Sequence, residues 1–155
     1  VFGSYPHFSR CQKTDVGGRF SALTPITIPN SVTSIGSAAC SYCDALTSIT
    51  IGDGIEEIPR ELCSDCYKLS EVKIGKNVKL FGDQSFDLTS DEGWINSFYC
   101  YASAPPKINY HINYNSQYAF SGTKIRNLYV PLRCRVKYED CDWGDKAMNI
   151  IEMDE

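Results

Sequence analysis

The chain of 155 residues is 43% hydrophobic and 22% charged, which is close to the composition of ordinary globular domains and argues against extended disorder. Its net charge is −4 and its basic residues are scattered, so neither nucleic acid nor an anionic membrane surface would find the dense cationic stripe that it needs. No apolar run approaches the roughly 18 residues that cross a bilayer, so direct membrane insertion of this segment is disfavoured too.

The first 22 residues contain an incomplete copy of a pattern that recurs further along the chain. The motif F-G-x4-F that begins at Phe2 resembles F-G-x3-F at Phe81. We therefore expect residues 1–22 to be a partial repeat, with Val1 in the middle of a coil. The chain would then be a fragment of a longer protein, and any export signal would lie upstream of it.

Residues 23–86 carry a regular 23-residue repeat. Residues 23–45 and 46–68 align without a gap, and a third copy begins at residue 69. Self-similarity at a fixed period indicates a solenoid of stacked coils. Apolar residues occupy the same places in each copy, in the columns Leu23, Leu46, Leu69; Ile26, Ile49, Val72; Ile28, Ile51, Ile74; Val32, Ile55, Val78; and Ile35, Ile58, Phe81.

Each copy predicts one short strand. Ile49 and Ile51 lie two residues apart, so on an extended chain they point to the same side. One strand cannot bury that side alone, so successive coils should stack about 4.8 Å apart in a parallel ladder. We expect short helical turns at residues 37–43 and 60–66, on the opposite wall. The predicted fold class is an α/β solenoid with one parallel β-sheet.

Residues 87–155 repeat the pattern in a degenerate form. The spacings that begin at Ile95 and Ile125 match the predicted strands, and Met148, Ile151 and Met153 match them weakly. We expect five or six strands in one sheet, with insertions at 87–94 and 108–118 projecting as loops and a C-terminal cap closing the coil.

The string L-x-x-I-x-I-P-x-x-V-x-x-I-G-x-x-A-C-x-x-C, from Leu23 to Cys43, resembles the BspA-like leucine-rich repeat. The copy at 46–68 matches with Gly52 at the proline position and Pro59 at the glycine position. The closing segment also resembles that family, at Ala104-Pro105-Pro106, Ala119-Phe120, Leu128-Tyr129-Val130-Pro131, Tyr138, Trp143 and Asn149-Ile150-Ile151-Glu152. The resemblance implies a right-handed leucine-rich-repeat coil.

The same resemblance implies a non-catalytic, protein- or glycan-binding module of a secreted or cell-surface bacterial protein, similar to an adhesin. Its partner would be a host or cell-surface protein or glycan. The family offers no active site to carry over, so no catalytic residue, metal ligand or cofactor is predicted. A structural spacer or cap within a larger surface protein is the alternative, and a zinc or thiol hydrolase is a distant third.

The cysteines leave three alternatives open. The sequence C-x2-C-x19-C-x2-C from Cys40 to Cys66 lies within the spacing range of zinc ribbons, although the repeat alone accounts for it and small thiols stacked in a core are the plainer interpretation. Cys43 and Cys66 in stacked coils could instead approach disulfide distance. Cys134 and Cys141 form a separate disulfide option.

The outward side of the strand ladder is the predicted binding surface, because alternate residues of each strand point away from the core. The candidate ligand-binding residues on this face are Thr27, Ser48, Thr50, Glu71, Lys73, Tyr99, Tyr101, Asn127 and Tyr129. Tyr110, Tyr114 and Tyr118 in the insertion are further candidates, since tyrosine gives a large, stiff contact. They could also pack the insertion onto the end of the solenoid.

Overall fold

The structure is a computed structural model that describes residues 25–88, 93–108 and 118–154. The partial repeat expected at 1–22 and most of the loop expected at 108–118 lie outside these ranges. The elements within them are, in chain order, strands β1 (Ile26–Ile28), β2 (Ser48–Ile51), β3 (Glu57–Ile58), β4 (Glu71–Ile74), β5 (Leu80–Phe81), β6 (Gly93–Cys100) and β7 (Thr123–Val130), helices α1 (Arg135–Glu139) and α2 (Asp142–Lys146), and strand β8 (Ala147–Glu152).

Six parallel strands form one sheet in the order β1-β2-β4-β6-β7-β8, which confirms the expected number. Ile26 pairs with Ile49, Ile49 with Val72, and Val72 with Phe98, which in turn pairs with Leu128. The apolar column read from the repeat is therefore a physical column that crosses the coils. The chain is a parallel β-solenoid.

A second, two-stranded ladder joins β3 to β5 and continues as a bridge between Leu80 and Lys107. The repeat pattern did not predict this ladder. Ile58 and Phe81 face inward in this ladder, so the fifth apolar column of the repeat also belongs to paired strands. Two β-walls therefore flank the core.

The prediction of short helical turns at 37–43 and 60–66 was wrong in its detail. These segments are turns whose amides bond to the next coil, as in the Ala38 N–H to Arg60 carbonyl bond (3.0 Å) and the Cys40 N–H to Leu62 carbonyl bond (3.0 Å). Ala38 and Glu61 both have φ of 56°, which interrupts a right-handed helix. Within the described ranges, α-helix is confined to the closing segment.

One apolar cluster runs through the whole coil and changes character along its length. Aliphatic side chains and thiols fill the coils near β1 and β2. Rings fill the later coils, where the centroid of Phe98 lies 5.4 Å from that of Trp143 and Phe86 stacks on Phe120 at 5.5 Å. Trp143 donates its indole N–H to the Pro106 carbonyl at 2.8 Å, so its polar group is satisfied while its ring closes the core.

The weak strand match near the C-terminus was in the wrong register by one residue. Leu128 pairs with Ile150 rather than with Ile151, and Met148 is 64% exposed. A slip of one residue exchanges the two faces of a strand, and α1 and α2 lead the chain into β8 at a point that the spacing of apolar residues does not reveal. Similarly, β6 begins at Gly93, inside the insertion expected at 87–94.

Within the described part of the chain, no helix has the length and apolar character needed to cross a membrane.

Candidate functional site

The outward face of the six-stranded sheet carries two columns of side chains. One column is formed by pairing of Thr27, Thr50, Lys73, Tyr99, Tyr129 and Ile151, and the other by Ser48, Glu71, Ser97, Asn127 and Asn149. All nine predicted residues of this face, Tyr101 included, are exposed or half-buried. The sequence therefore placed these side chains on the correct side of the strands. Pairing places eight of the nine in these two columns, and Tyr101 follows directly after the end of β6.

An aromatic stack lies in the middle of this face. Tyr99 and Tyr129 stack with ring centroids 4.5 Å apart and planes only 9° from parallel. The Lys73 ammonium lies 5.1 Å from the centroid of Tyr99, on the neighbouring strand. Parallel pairing in register produces this stack, because residues that pair across β6 and β7 point the same way at a strand's separation.

The charge beside the stack is locally balanced. Lys73 and Glu71 form a salt bridge at 3.0 Å, and the hydrogen bond to Glu71 raises the pKa of the Lys73 ammonium. Both side chains are well exposed, so the pair orients the lysine more than it stabilises the fold.

One pair of amide side chains is hydrogen-bonded in the second column. Asn149 donates to the side-chain oxygen of Asn127 at 3.0 Å and to the Arg126 carbonyl at 3.2 Å. Next to that column, Asn96 donates to the Ser70 hydroxyl oxygen at 2.9 Å. These bonds orient the side chains of Asn96, Asn127 and Asn149.

A second aromatic group, which the sequence did not predict, lies on the sheet. The half-buried ring of Trp94 has the Lys124 ammonium at 5.8 Å and the Arg126 guanidinium at 5.6 Å from its centroid. The pairing of Trp94 with Lys124 places these groups together. The signal that could have found it is the position of Trp94, one residue before the inward Ile95, but that position fell in a segment assigned to an insertion.

The candidate residues of the insertion are only partly placed. Tyr110 and Tyr114 lie outside the described residues, and Tyr118 is 46% exposed. The Tyr118 carbonyl accepts a hydrogen bond from the Gln84 N–H at 3.2 Å, which fixes the backbone at the end of the insertion.

Residues 19–141 match the family model of the BspA type leucine-rich repeat region, in 6 copies. The chain belongs to the BspA-type leucine-rich repeat family. No curated protein matches it. BspA-type repeats are generally non-catalytic, and leucine-rich repeats suggest a protein-interaction module, since stacked repeats build extended surfaces on which partners bind.

The cysteines of this BspA-type coil do not assemble a zinc ribbon. Cys43 is disulfide-bonded, whereas Cys40, Cys63 and Cys66 are free and buried in the core. The Cys66 thiol donates to the Cys40 carbonyl at 3.0 Å. The plainer interpretation, thiols packed in a repeat, describes these three. No group of three or more histidine, cysteine or acidic residues in the described ranges could hold a metal ion.

Both disulfide options raised by the sequence were wrong. Cys66, the stacked neighbour of Cys43, is free, and so are Cys134 and Cys141 in the closing segment. The Cys134 thiol donates instead to the Ser103 carbonyl at 3.4 Å, and the Cys141 thiol to the Tyr138 carbonyl at 3.4 Å.

The buried thiols are also poor candidates for a nucleophile. Burial raises the pKa of Cys63, and it raises the pKa of Cys100 to about 11. A hydrogen bond with Cys63 lowers the pKa of Cys40, but only 7% of Cys40 is exposed. A cysteine reacts as the thiolate and must be accessible to its substrate. At these positions the raised pKa, the burial of the thiol or both prevent this.

Proposed function

We propose that this chain is a non-catalytic protein-binding module of a secreted or cell-surface, adhesin-like bacterial protein. Its partner binds on the outward face of the six-stranded sheet. The observation that carries the proposal is the Tyr99–Tyr129 stack at the middle of that face, with Lys73 and Asn127 beside it.

The stack suits recognition because it is already ordered. Each tyrosine has few rotatable bonds, and stacking restricts them before a partner arrives. Binding therefore pays little further side-chain entropy at this point. The hydrogen-bonded amide of Asn127 contributes a fixed polar contact next to it.

The geometry favours a protein over a glycan as the partner. A sugar commonly packs its C–H groups on the open face of an aromatic ring. Here one face of Tyr99 lies against Tyr129 and Lys73 lies over the ring as well, while Ile151 follows Tyr129 in the same column. Such a stack leaves the ring edges, the hydroxyls and the Lys73 ammonium accessible to a partner. These groups can contact the polar backbone and side chains of a protein.

Two observations support an exported protein. Members of the BspA-type family are typically found at the surface of bacteria or secreted. Cys43 is disulfide-bonded, and disulfides persist mainly in oxidising compartments outside the cytosol.

The experiment is a binding screen of the intact chain against immobilised extracellular host proteins and glycans. For a protein that binds, we expect Tyr99→Ala/Tyr129→Ala to weaken binding about tenfold or more, which is typical of losing an aromatic hot spot. Tyr99→Phe/Tyr129→Phe keeps the stack and should weaken it less. Val136→Ala is the control, because Val136 is 65% exposed on α1 and belongs to neither column of the sheet face.

Unchanged affinity of the Tyr99→Ala/Tyr129→Ala variant would exclude the sheet face as the binding surface. Binding to glycans alone would contradict the preference for a protein. If nothing in the screen binds, the structural spacer becomes the better interpretation.

Tyr110, Tyr114 and Tyr118 remain predicted contacts in addition to the sheet face. Deletion of residues 109–117 and, separately, Tyr118→Ala test this extension with the same protein partner. Binding equal to that of the intact chain in both variants would remove the insertion from the site and leave the sheet face as the whole of it.

A further inference from the structure

Four side chains in the turns that precede β2 and β4 form a patch in which tyrosine and aspartate alternate. Tyr42 and Asp44 lie in one coil, and Asp65 and Tyr67 occupy the equivalent positions 23 residues later. The Tyr42 N–H donates to the Ser64 carbonyl at 2.8 Å, which holds the two coils in this register. We call these four residues the tyrosine–aspartate patch.

Both rings of the patch are largely open to solvent. Tyr42 is 64% and Tyr67 57% exposed, among the highest values for large hydrophobic residues in the described chain. Asp65 is held between neighbours, since it accepts hydrogen bonds from the Ser64 hydroxyl at 3.1 Å and from the Tyr67 hydroxyl at 3.4 Å. The charge of Asp65 raises the pKa of the Tyr67 phenol, with a smaller contribution from Asp44, so both carboxylates act at this ring.

The patch differs from the aromatic groups of the sheet, because no cation of the described ranges accompanies its rings. Lys73 lies over Tyr99, and Lys124 and Arg126 lie over Trp94. In the parts of the chain that the structure describes, no lysine or arginine lies over Tyr42 or Tyr67.

The aspartates of the patch also lack an ion pair with any described residue. Glu56, Glu61, Glu71 and Glu139 each form an ion pair within 4 Å. Neither aspartate of the patch pairs with a described cation, and this includes the exposed Lys68 next to Tyr67. Two open rings, and two carboxylates that no described lysine or arginine neutralises, therefore share one surface.

Tyr42 has a backbone conformation that tyrosine rarely adopts. Its φ is 58°, in the left-handed region, and the equivalent residue of the next coil is Asp65, with φ of 57°. Aspartate and asparagine tolerate this region, whereas a bulky residue there is an outlier. Because the Tyr42 ring is exposed, its burial contributes little free energy to offset this strain. Stability alone therefore does not explain a tyrosine at this position.

We propose that the tyrosine–aspartate patch binds arginine or lysine side chains of an extended segment of a partner protein. A cation placed over an open tyrosine face is attracted by the ring and can reach a carboxylate at its edge. The alternation of Tyr and Asp in both directions offers two such places, one coil apart. The patch is separate from the sheet face, and the two proposals stand or fall independently.

The test measures the fluorescence anisotropy of a fluorescein-labelled hexa-arginine peptide with the intact chain, at about 0.15 M ionic strength to screen distant charges. Hexa-glutamate is the negative peptide control. We expect Asp44→Asn/Asp65→Asn to weaken hexa-arginine binding about fivefold. Tyr42→Asn should weaken it about threefold, the size of one exposed cation–aromatic contact.

A matched variant distinguishes binding at the patch from attraction of the peptide by the net negative charge of the chain. Asp140→Asn/Asp154→Asn makes the same change of net charge at exposed positions elsewhere and should change binding by less than about twofold. The sheet variant Tyr99→Ala/Tyr129→Ala should leave hexa-arginine binding unchanged, whatever its effect on the partner of the sheet.

Tyr42→Asn also reports on the fold, because asparagine tolerates the left-handed region and the variant should melt no lower than the original chain. Tyr67→Ala is a second aromatic variant at a position without positive φ, with the same expected loss. An equal loss of hexa-arginine affinity in Asp44→Asn/Asp65→Asn and in Asp140→Asn/Asp154→Asn would overturn the proposal. Undiminished affinity in both Tyr42→Asn and Tyr67→Ala would overturn it too.

Discussion

Cys100 and Cys141 are both free thiols, yet they lie in opposite surroundings. Cys100 is fully buried, and its sulfur lies 3.0 Å from the Tyr138 hydroxyl oxygen. Tyr138 donates to the Ala102 carbonyl at 2.7 Å, so the thiol is the donor to the phenol. Burial raises the pKa of Cys100 to about 11, and at pH 8 it stays protonated. Cys141 is exposed, although partial burial raises its pKa above the ordinary value.

We therefore predict that iodoacetamide at pH 8 alkylates Cys141 first and leaves Cys100 unmodified in the folded chain. Alkylation of Cys141 should accelerate as the pH rises, because only the thiolate reacts. Peptide mapping by mass spectrometry gives the extent at each site. Unfolding in about 6 M urea is the control, since both thiols should then react. Fast modification of Cys100 without urea would show that the coil is open beside Tyr138.

At the scale of the element, turns are limited by the coil before them. Gly54 follows β2, and a Cβ atom there would overlap the carbonyl oxygens of Asn30 and Val32 in the preceding coil. Those atoms belong to a backbone that a side chain cannot displace cheaply. The stacking distance of the coils, rather than an unusual φ, requires glycine here.

Gly54→Ala should therefore destabilise the fold by about 2 kcal/mol, the typical cost of overpacking. Ser31→Ala is the matched control, because Ser31 occupies the equivalent position one repeat earlier, is exposed and already has a Cβ. Its effect should stay within about 0.5 kcal/mol. Urea unfolding followed by circular dichroism measures both. Equal stability of the two variants would mean that the coils are spaced more widely at this turn than the structure has them.

In strand β8 the spacing of apolar residues predicts a strand but not its register. Met148, Ile151 and Met153 have the spacing of an inward column, but the sheet uses Ile150. Two short helices precede the strand, and the packing of Tyr138 and Trp143 in the core decides where the chain re-enters the ladder. That packing is a contact between distant residues, so the register could not be read from the strand itself.

For the whole molecule, coils stack on each other, so the same isoleucine-to-alanine substitution destabilises the fold by different amounts in different coils. Ile26 and Ile49 are paired residues of the same type in adjacent strands. Ile49 is fully buried between β1 and β4, whereas Ile26 is only half-buried. We predict that Ile49→Ala costs about 3 kcal/mol and Ile26→Ala clearly less.

The urea midpoint of each variant, followed by circular dichroism, measures this difference. Long repeat arrays can lose cooperativity, so the transition should also be followed by tryptophan fluorescence, which reports on the aromatic end of the core. Coincident transitions would allow the two costs to be compared directly. An equal cost at both positions would contradict a solenoid in which Ile49 lies inside the stack.

The sequence by itself determined the solenoid, its inward columns and the outward side of its strands. A 23-residue period and two-residue alternation are local properties, and every coil repeats them, so Ile49, Val72 and Phe98 could be aligned without coordinates. The right-handed sense of the coil stays a prediction. Only the tertiary structure decided which outward side chains meet, as in the Tyr99–Tyr129 stack and the tyrosine–aspartate patch. Those neighbours are one coil apart in space but 23 or more residues apart in the chain, and register, insertions and turn conformation set their distances jointly.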